Sequence, residues 1–236
     1  MTGMTDIKTK KILVWDAPVR VFHWLMVLSF AGAYITSEGE RWRLVHVSLG
    51  YTLGGLVAFR ILWGFMGTQY ARFSSFIRGP SAVIRYAKSI LNGRPEHHVG
   101  HNPAGAVAIV LLILLSVLLV ATGWLNYNDI GPGWLEDLHD IAGNLMLGVV
   151  GIHVAGVAVA TWLHRENLVR AMVTGLKEGT PEQGISRSWR SLAVLILLVV
   201  FGFWWYQWQS APSQETSASI AKEATKYVSG RHDDDD

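Results

Sequence analysis

The sequence contains no cysteine, and this absence excludes several kinds of redox site. A chain without thiols forms no disulfide and holds no cysteine-ligated iron–sulfur cluster. It also cannot attach haem covalently through a Cys-x-x-Cys-His motif. The same absence gives no information about the compartment in which the protein works.

Charged residues are scarce as well. Only 16% of the residues are Asp, Glu, Lys or Arg, whereas half are hydrophobic and 11 are tryptophan. Charges are almost absent from five stretches, each near the roughly 20 residues that a helix needs to span a membrane. We therefore predict an all-α integral membrane protein, a four-helix bundle with an additional C-terminal transmembrane helix. The predicted spans are residues 21–37, 45–66, 104–127, 137–163 and 192–208.

The distribution of Lys and Arg predicts the orientation in the membrane. Basic residues concentrate in segments 1–20, 67–102 and 164–190, whereas the loop before the fourth span carries Asp129, Glu136, Asp137 and Asp140. Because basic segments favour the cytoplasmic side, we expect a multi-pass protein of the cytoplasmic (inner) membrane, with the N-terminus cytoplasmic and the C-terminus outside. The first span lacks a small-residue cleavage site, so we expect it to stay in the mature protein.

The remaining segments have simpler interpretations. Residues 1–20 form a cytoplasmic N-terminal segment, and residues 80–92 predict an amphipathic helix on the membrane surface, beginning at Pro80. Residues 209–236 form a polar, acidic exterior tail that we expect to be flexible or weakly helical. The net charge of +2 gives no reason to expect a nucleic-acid partner, because the basic residues follow the membrane topology.

Four histidines lie within the uncharged stretches, where an ionisable side chain is costly and usually marks a site. His23 and His153 fall near the cytoplasmic face, and His46 and His139 near the outer face. His139 and His153 are separated by about 21 Å along one helix and by about 40° around it. Two pairs of opposed imidazoles at two depths suit axial ligation of a planar macrocycle better than tetrahedral zinc.

Several glycines and two arginines lie near these histidines in the sequence. The glycines and each arginine have two possible interpretations. The glycines give a smooth face that suits either close approach of a haem or close packing of helices; they are Gly50, Gly54, Gly143, Gly148, Gly151 and Gly156. Arg60, within the second span, either pairs with haem carboxylates or acts as an interfacial anchor. Arg20 has the same two interpretations.

The other histidines are weaker candidates. His97, His98 and His101 lie in a polar connection, where we expect solvated side chains. His164 is expected at the membrane interface and His232 in the solvated acidic tail.

Several sequence motifs occur in order along the first four spans. They are VWDAPVRVFHW from Val14, HVSLGY from His46, RILWGF from Arg60, GHNPAG from Gly100 and LHDIAGN around His139. Over about residues 12 to 178, this pattern resembles the prokaryotic cytochrome b561 family, which includes the b-type haem subunits of nickel–iron hydrogenases.

The resemblance implies a dihaem four-helix domain, at residues 21–178, with two haem b groups ligated by histidine alone. The ligands would be His23 with His153 and His46 with His139. Family members move electrons between membrane quinones and a partner redox protein, and some oxidise superoxide.

Three functions follow as hypotheses. The first is electron transfer between the quinone pool and an exterior redox partner, expected to be a c-type cytochrome. The second is a membrane-anchor cytochrome b of a hydrogenase or molybdoenzyme, docked through the fifth helix and the tail. The third is a superoxide:quinone oxidoreductase, which ranks last because Arg41 and Arg43 alone would attract the anion outside. No sequence pattern defines the quinone site.

Overall fold

Helices dominate the computed structural model, which describes residues 10–93, 96 and 98–210. Five helices are long and apolar enough to cross a membrane, which confirms the predicted all-α membrane fold. The spans are α1 (Ala17–Ile35), α2 (Arg43–Met66), α5 (Pro103–Tyr127), α6 (Trp134–His164) and α8 (Arg190–Ser210). Shorter elements are β1 (Lys10–Leu13), α3 (Phe73–Phe76), α4 (Pro80–Leu91), α7 (Leu168–Thr174) and β2 (Leu176–Gly179).

The first four spans pack in chain order, α1 along α2, α2 along α5 and α5 along α6. The contact of α5 with α6 is an apolar core of Leu115, Leu119, Ala142 and Met146. Residues up to Leu198 form one compact unit, and the rest of α8 belongs to a second. The sequence prediction for the tail falls almost entirely on residues 211–236, which lie outside the described residues.

The first span begins four residues before the predicted position. The predicted start at residue 21 rests on the charge of Arg20, which ends the uncharged stretch in the sequence. In the structure, Arg20 is part of α1, and its Nη1 donates a hydrogen bond of 2.7 Å to the carbonyl of Val173. Asp16 caps the helix by accepting a 2.8 Å bond from the backbone N–H of Val19, as acidic N-caps commonly do.

A two-stranded antiparallel sheet, absent from the sequence prediction, joins distant parts of the chain. Strand β1 pairs with β2, with Lys10 opposite Gly179 and Leu13 opposite Leu176. At the same end of the bundle, the hydroxyl of Tyr70 donates a 2.8 Å hydrogen bond to the carbonyl of Gln183. All three segments predicted to be basic and cytoplasmic therefore meet at one end. We call the region formed by residues 10–16, 67–76 and 168–189 the cap.

A buried carboxylate connects the cap to the bundle. Asp16 has no exposed surface and accepts hydrogen bonds from Trp63 Nε1 at 3.0 Å and from Thr68 Oγ1 at 2.6 Å. With the bond from Val19, three donors satisfy its oxygens. Arg60 adds a favourable electrostatic interaction. A buried charge is tolerated only with such partners, so Asp16 holds α1, α2 and the following loop together.

Helix α4 lies against the bundle rather than free of it. It begins at Pro80, as predicted, and its Ala82 and Tyr86 side chains are buried, while Ile84 on another side is exposed. Arg85 forms an ion pair of 3.3 Å with Glu96. The helix therefore has one protein-facing side and one apolar exposed residue available to lipid.

Candidate haem sites

His46 on α2 and His139 on α6 face each other. Their ring centroids are 6.1 Å apart, with the ring planes inclined at 73°. A metal bound at about 2 Å by one nitrogen of each imidazole would place the centroids roughly 6 Å apart. We call His46 and His139 the outer pair, after their predicted side of the membrane. Their separation therefore fits coordination of one iron atom from both sides.

A hydrogen bond at Nδ1 orients each ring of the outer pair. His46 Nδ1 lies 2.8 Å from the carbonyl oxygen of Ala33, which can only accept, so Nδ1 carries the proton. His139 Nδ1 lies 2.9 Å from Thr122 Oγ1, whose own proton goes to the carbonyl of Leu118 at 2.8 Å. In both rings Nε2 is therefore the unprotonated nitrogen, the arrangement typical of metal-binding histidines.

A glycine on α5 makes room for the His139 ring. A Cβ at Gly123 would lie 2.9 Å from His139 Cε1 and 3.4 Å from Nδ1. Sequence reasoning missed Thr122 and Gly123 because α5 carries no histidine within the membrane. The sequence feature that could have identified them is their position near the outer end of α5, at the predicted depth of His139.

We expect Gly123→Ala to displace the His139 ring and lower haem occupancy at the outer pair. The added methyl group would overlap the ring, and the ring cannot move without losing the Thr122 bond. Gly202→Ala on α8 is the matched control, because its Cβ meets no atom within 4 Å. Haem content and the visible spectrum of the two purified variants check the prediction. Equal haem content in both would contradict it.

The second pair, His23 on α1 and His153 on α6, which we call the inner pair, has a different environment. The two imidazoles lie within electrostatic range of each other. The His23 ring packs edge-on against Trp24, with centroids 5.2 Å apart. His23 Nδ1 is shielded from solvent and, within the part of the chain that the structure describes, has no hydrogen-bond partner. Such an orphaned nitrogen is costly, and a group bound between these rings would supply a contact.

The glycines divide between the two interpretations left open by the sequence. A Cβ at Gly54 would lie 3.0 Å from Val120, so Gly54 permits close packing of α2 on α5. Gly143 makes only an ordinary contact, at 3.9 Å from Leu119. A methyl group at the remaining positions would meet no protein atom within 4 Å, and helix packing does not explain them; they are Gly50, Gly148, Gly151 and Gly156.

Arg20 and Arg60 both have partners in the cap. Arg20 reaches the end of α7, as described above. Arg60 is only 4% exposed; its Nη1 donates a 3.1 Å bond to the carbonyl of Ala71, and its guanidinium lies 4.9 Å from the centre of the Phe73 ring. The contact of either arginine with a haem carboxylate stays a prediction.

The expectation that His101 is solvated is wrong. Its ring packs between Trp15 and Phe76, with centroid distances of 4.5 and 4.6 Å. The polar composition of the loop suggested solvent, but the cap folds over this part of it. The His98 ring packs against the Tyr86 ring, with centroids 5.7 Å apart. His97 and His232 lie outside the described residues. Within residues 10–93, 96 and 98–210, no three His, Cys, Asp or Glu side chains form a cluster able to hold a metal ion.

Comparison with known proteins agrees with this geometry. A family profile described as prokaryotic cytochrome b561 matches residues 14–175. A probable Ni/Fe-hydrogenase 1 B-type cytochrome subunit of Escherichia coli K12 is 31% identical over 142 residues, 49% of this chain and 60% of the relative. The corresponding probable subunit of Rhizobium leguminosarum is 24% identical over 220 residues, 73% of this chain and 91% of the relative.

The chain thus spans about three fifths of the length of the E. coli relative. No solved structure matches the chain. The profile covers all four helices of the bundle and both histidine pairs. A b-type cytochrome carries haem b, which agrees with a bundle that presents opposed imidazoles. The chain belongs to the prokaryotic cytochrome b561 family.

Proposed function

We propose that the protein is a dihaem b-type membrane cytochrome that carries electrons between the quinone pool and a redox enzyme subunit on the outer side. The observation that carries the proposal is the outer pair, because the separation and hydrogen bonds of His46 and His139 would let both side chains hold one haem. Haem b supplies reversible one-electron transfer. The second pair, on α1 and the same helix α6, would hold the other haem; its His153 lies about 21 Å from His139 along the helix axis.

The chain's own residues provide ligation, orientation and insulation. Ala33 and Thr122 fix the rings of His46 and His139 so that Nε2 is presented to the metal. The apolar side chains of the bundle exclude water and set the dielectric around the two centres. No described residue is required to make or break a bond in the substrate.

The partner is proposed from the relatives. Proteins similar to this chain carry names of Ni/Fe-hydrogenase subunits, which favours a membrane-anchor role beside a hydrogenase-like subunit over a free c-type cytochrome. Asp129 in the loop before α6 and Glu136 and Asp137 in the first turn of α6 are exposed. An acidic surface of this kind favours a partner with a basic docking face.

The superoxide hypothesis gains no support from the outer arginines. The Arg41 guanidinium lies 5.5 Å from the Trp42 ring centre, and that of Arg43 lies 5.8 Å from the Tyr127 ring centre. Arg43 also lies 3.9 Å from Glu40. The Glu40 carboxylate offsets part of the positive field that would guide an anion.

Purification of the tagged chain from native membranes tests the proposal. We expect two haem b per chain in a pyridine haemochrome assay, together with a larger redox subunit. The control is the same preparation after high-salt washing, which should release the partner but keep both haems, because exposed charge pairs are screened by salt. One haem or none would contradict the dihaem proposal, and a c-type cytochrome in place of the enzyme subunit would contradict the choice of partner.

A further inference from the structure

The GHNPAG loop before α5 contains one residue that the helix start does not explain. A Cβ at Gly100 would lie 2.7 Å from Tyr70 Cδ1, so a close approach requires glycine there. Asn102 caps α5 by accepting a 2.7 Å bond from the N–H of Gly105, and Pro103 occupies the first helical position. His101 has none of these roles, although it is held firmly in place.

The orientation of His101 is fixed, but its hydrogen bonding is incomplete. Trp15 and Phe76 hold the ring in the contacts described above. Nδ1 is shielded from solvent and has no partner among the residues that the structure describes. Leaving a buried polar atom unpaired is costly. The position therefore suits a ligand that accepts or donates one hydrogen bond.

The charges around His101 favour a negatively charged ligand. Its electrostatic neighbours are all basic: Arg60 and Lys177, then His153 and His23. Burial, followed by these neighbours, lowers the pKa of His101 to about 3, so the free imidazole is neutral and has one N–H to donate. The carboxylates that interact with Arg60 and Lys177 are already engaged, Asp16 as described and Glu166 with Lys177 at 3.1 Å.

His101 also lies within electrostatic range of both histidines of the inner pair. It touches Trp15, two residues before α1 begins, and His23 lies six residues into that helix, about 9 Å along the axis. A haem held by His23 and His153 would therefore lie toward the end of α1 that meets the cap. Haem b carries two carboxylates, and a basic, partly desolvated cap suits them better than it suits a neutral quinone.

We propose that His101 donates a hydrogen bond from Nδ1 to a carboxylate of the haem held by His23 and His153. This inference rests on the proposed function, because it requires a haem at the inner pair. His101 acts here as a positioning residue that orients the haem and adjusts its potential through the carboxylate. It ligates no iron.

Redox titration of the two haems in His101→Phe tests the inference. Phenylalanine keeps the ring packing between Trp15 and Phe76 but removes the N–H. We expect the midpoint potential of the inner haem to shift downward, because an unbonded carboxylate leaves more negative charge beside the iron and stabilises its oxidised form. The outer haem should keep its potential. The matched control is His98→Phe, in the same loop, which should leave both potentials unchanged.

Two further measurements separate the possible outcomes. Infrared redox difference spectra with ¹³C-labelled haem carboxylates should show a shifted carboxylate band in His101→Phe only, and His101→Gln, which retains an N–H donor, should stay close to the wild type. The inference would be overturned if the Phe and Gln variants had the same inner-haem potential and the same carboxylate band, whatever their haem content. Unchanged haem potentials with slower quinone reduction would also overturn it, in favour of a quinone ligand. Fewer than two haems in the unmodified protein would contradict the proposed function instead.

Discussion

Replacing His46 with alanine should reduce the haem content from two per chain to about one. The outer haem would lose one of its two axial nitrogens, while the inner pair lies about 21 Å away along α6 and shares no ligand with it. His139→Ala should remove the same spectral component. His23→Ala and His153→Ala should each remove the other component, because those two side chains belong to the inner site.

Low-temperature visible spectra and haem quantification of the four variants check this pairing. His164→Ala, at the end of α6 and outside both pairs, is the control and should retain both haems. The pairing would be wrong if His23→Ala and His46→Ala removed the same component. A loss of both haems from every variant would contradict the independence of the two sites.

Replacing Asp16 with alanine should destabilise the protein by about 3–5 kcal/mol, the usual cost of removing one member of a buried charged network. The substitution leaves the indole N–H of Trp63 and the N–H of Val19 without their acceptor. It also removes the carboxylate that attracts Arg60, which is almost fully buried. No other single substitution discussed here breaks as many buried polar contacts.

Thermal unfolding in detergent measures this effect. Glu38→Ala removes an exposed carboxylate near the opposite end of α1 and should change stability by less than about 0.5 kcal/mol. Asp16→Asn should lie between the two, because its amide oxygen still accepts hydrogen bonds but its charge is lost. A melting temperature for Asp16→Ala close to that of Glu38→Ala would refute the role of Asp16 in the cap.

The spans could be predicted because hydrocarbon tolerates few charges, so gaps between charges mark helices without any knowledge of packing. The depth of the histidines follows from the same count, and the facing rings of His46 and His139 agree with it. Strand pairing was out of reach, because β1 and β2 have four residues each. Such short segments carry no distinctive period.

The roles that sequence reasoning missed have a common physical cause. Arg20, Thr122 and His101 act through contacts with residues far away in sequence, at Val173, His139 and Trp15. A local pattern shows the type of such a residue but cannot show its partner. Arg20 therefore marked a false helix boundary, and His101 resembled a solvated loop residue.

The pairing of β1 with β2 sets an order on biosynthesis. Lys10 emerges from the ribosome early, but its partner Gly179 is translated only after α1, α2, α5 and α6 are complete. The N-terminal strand must therefore wait, unpaired, until four helices have entered the bilayer, since contacts between distant residues form late. The two strands can pair only if an even number of spans has been inserted between them. A chain with one span missing would leave its two strands on opposite sides of the membrane.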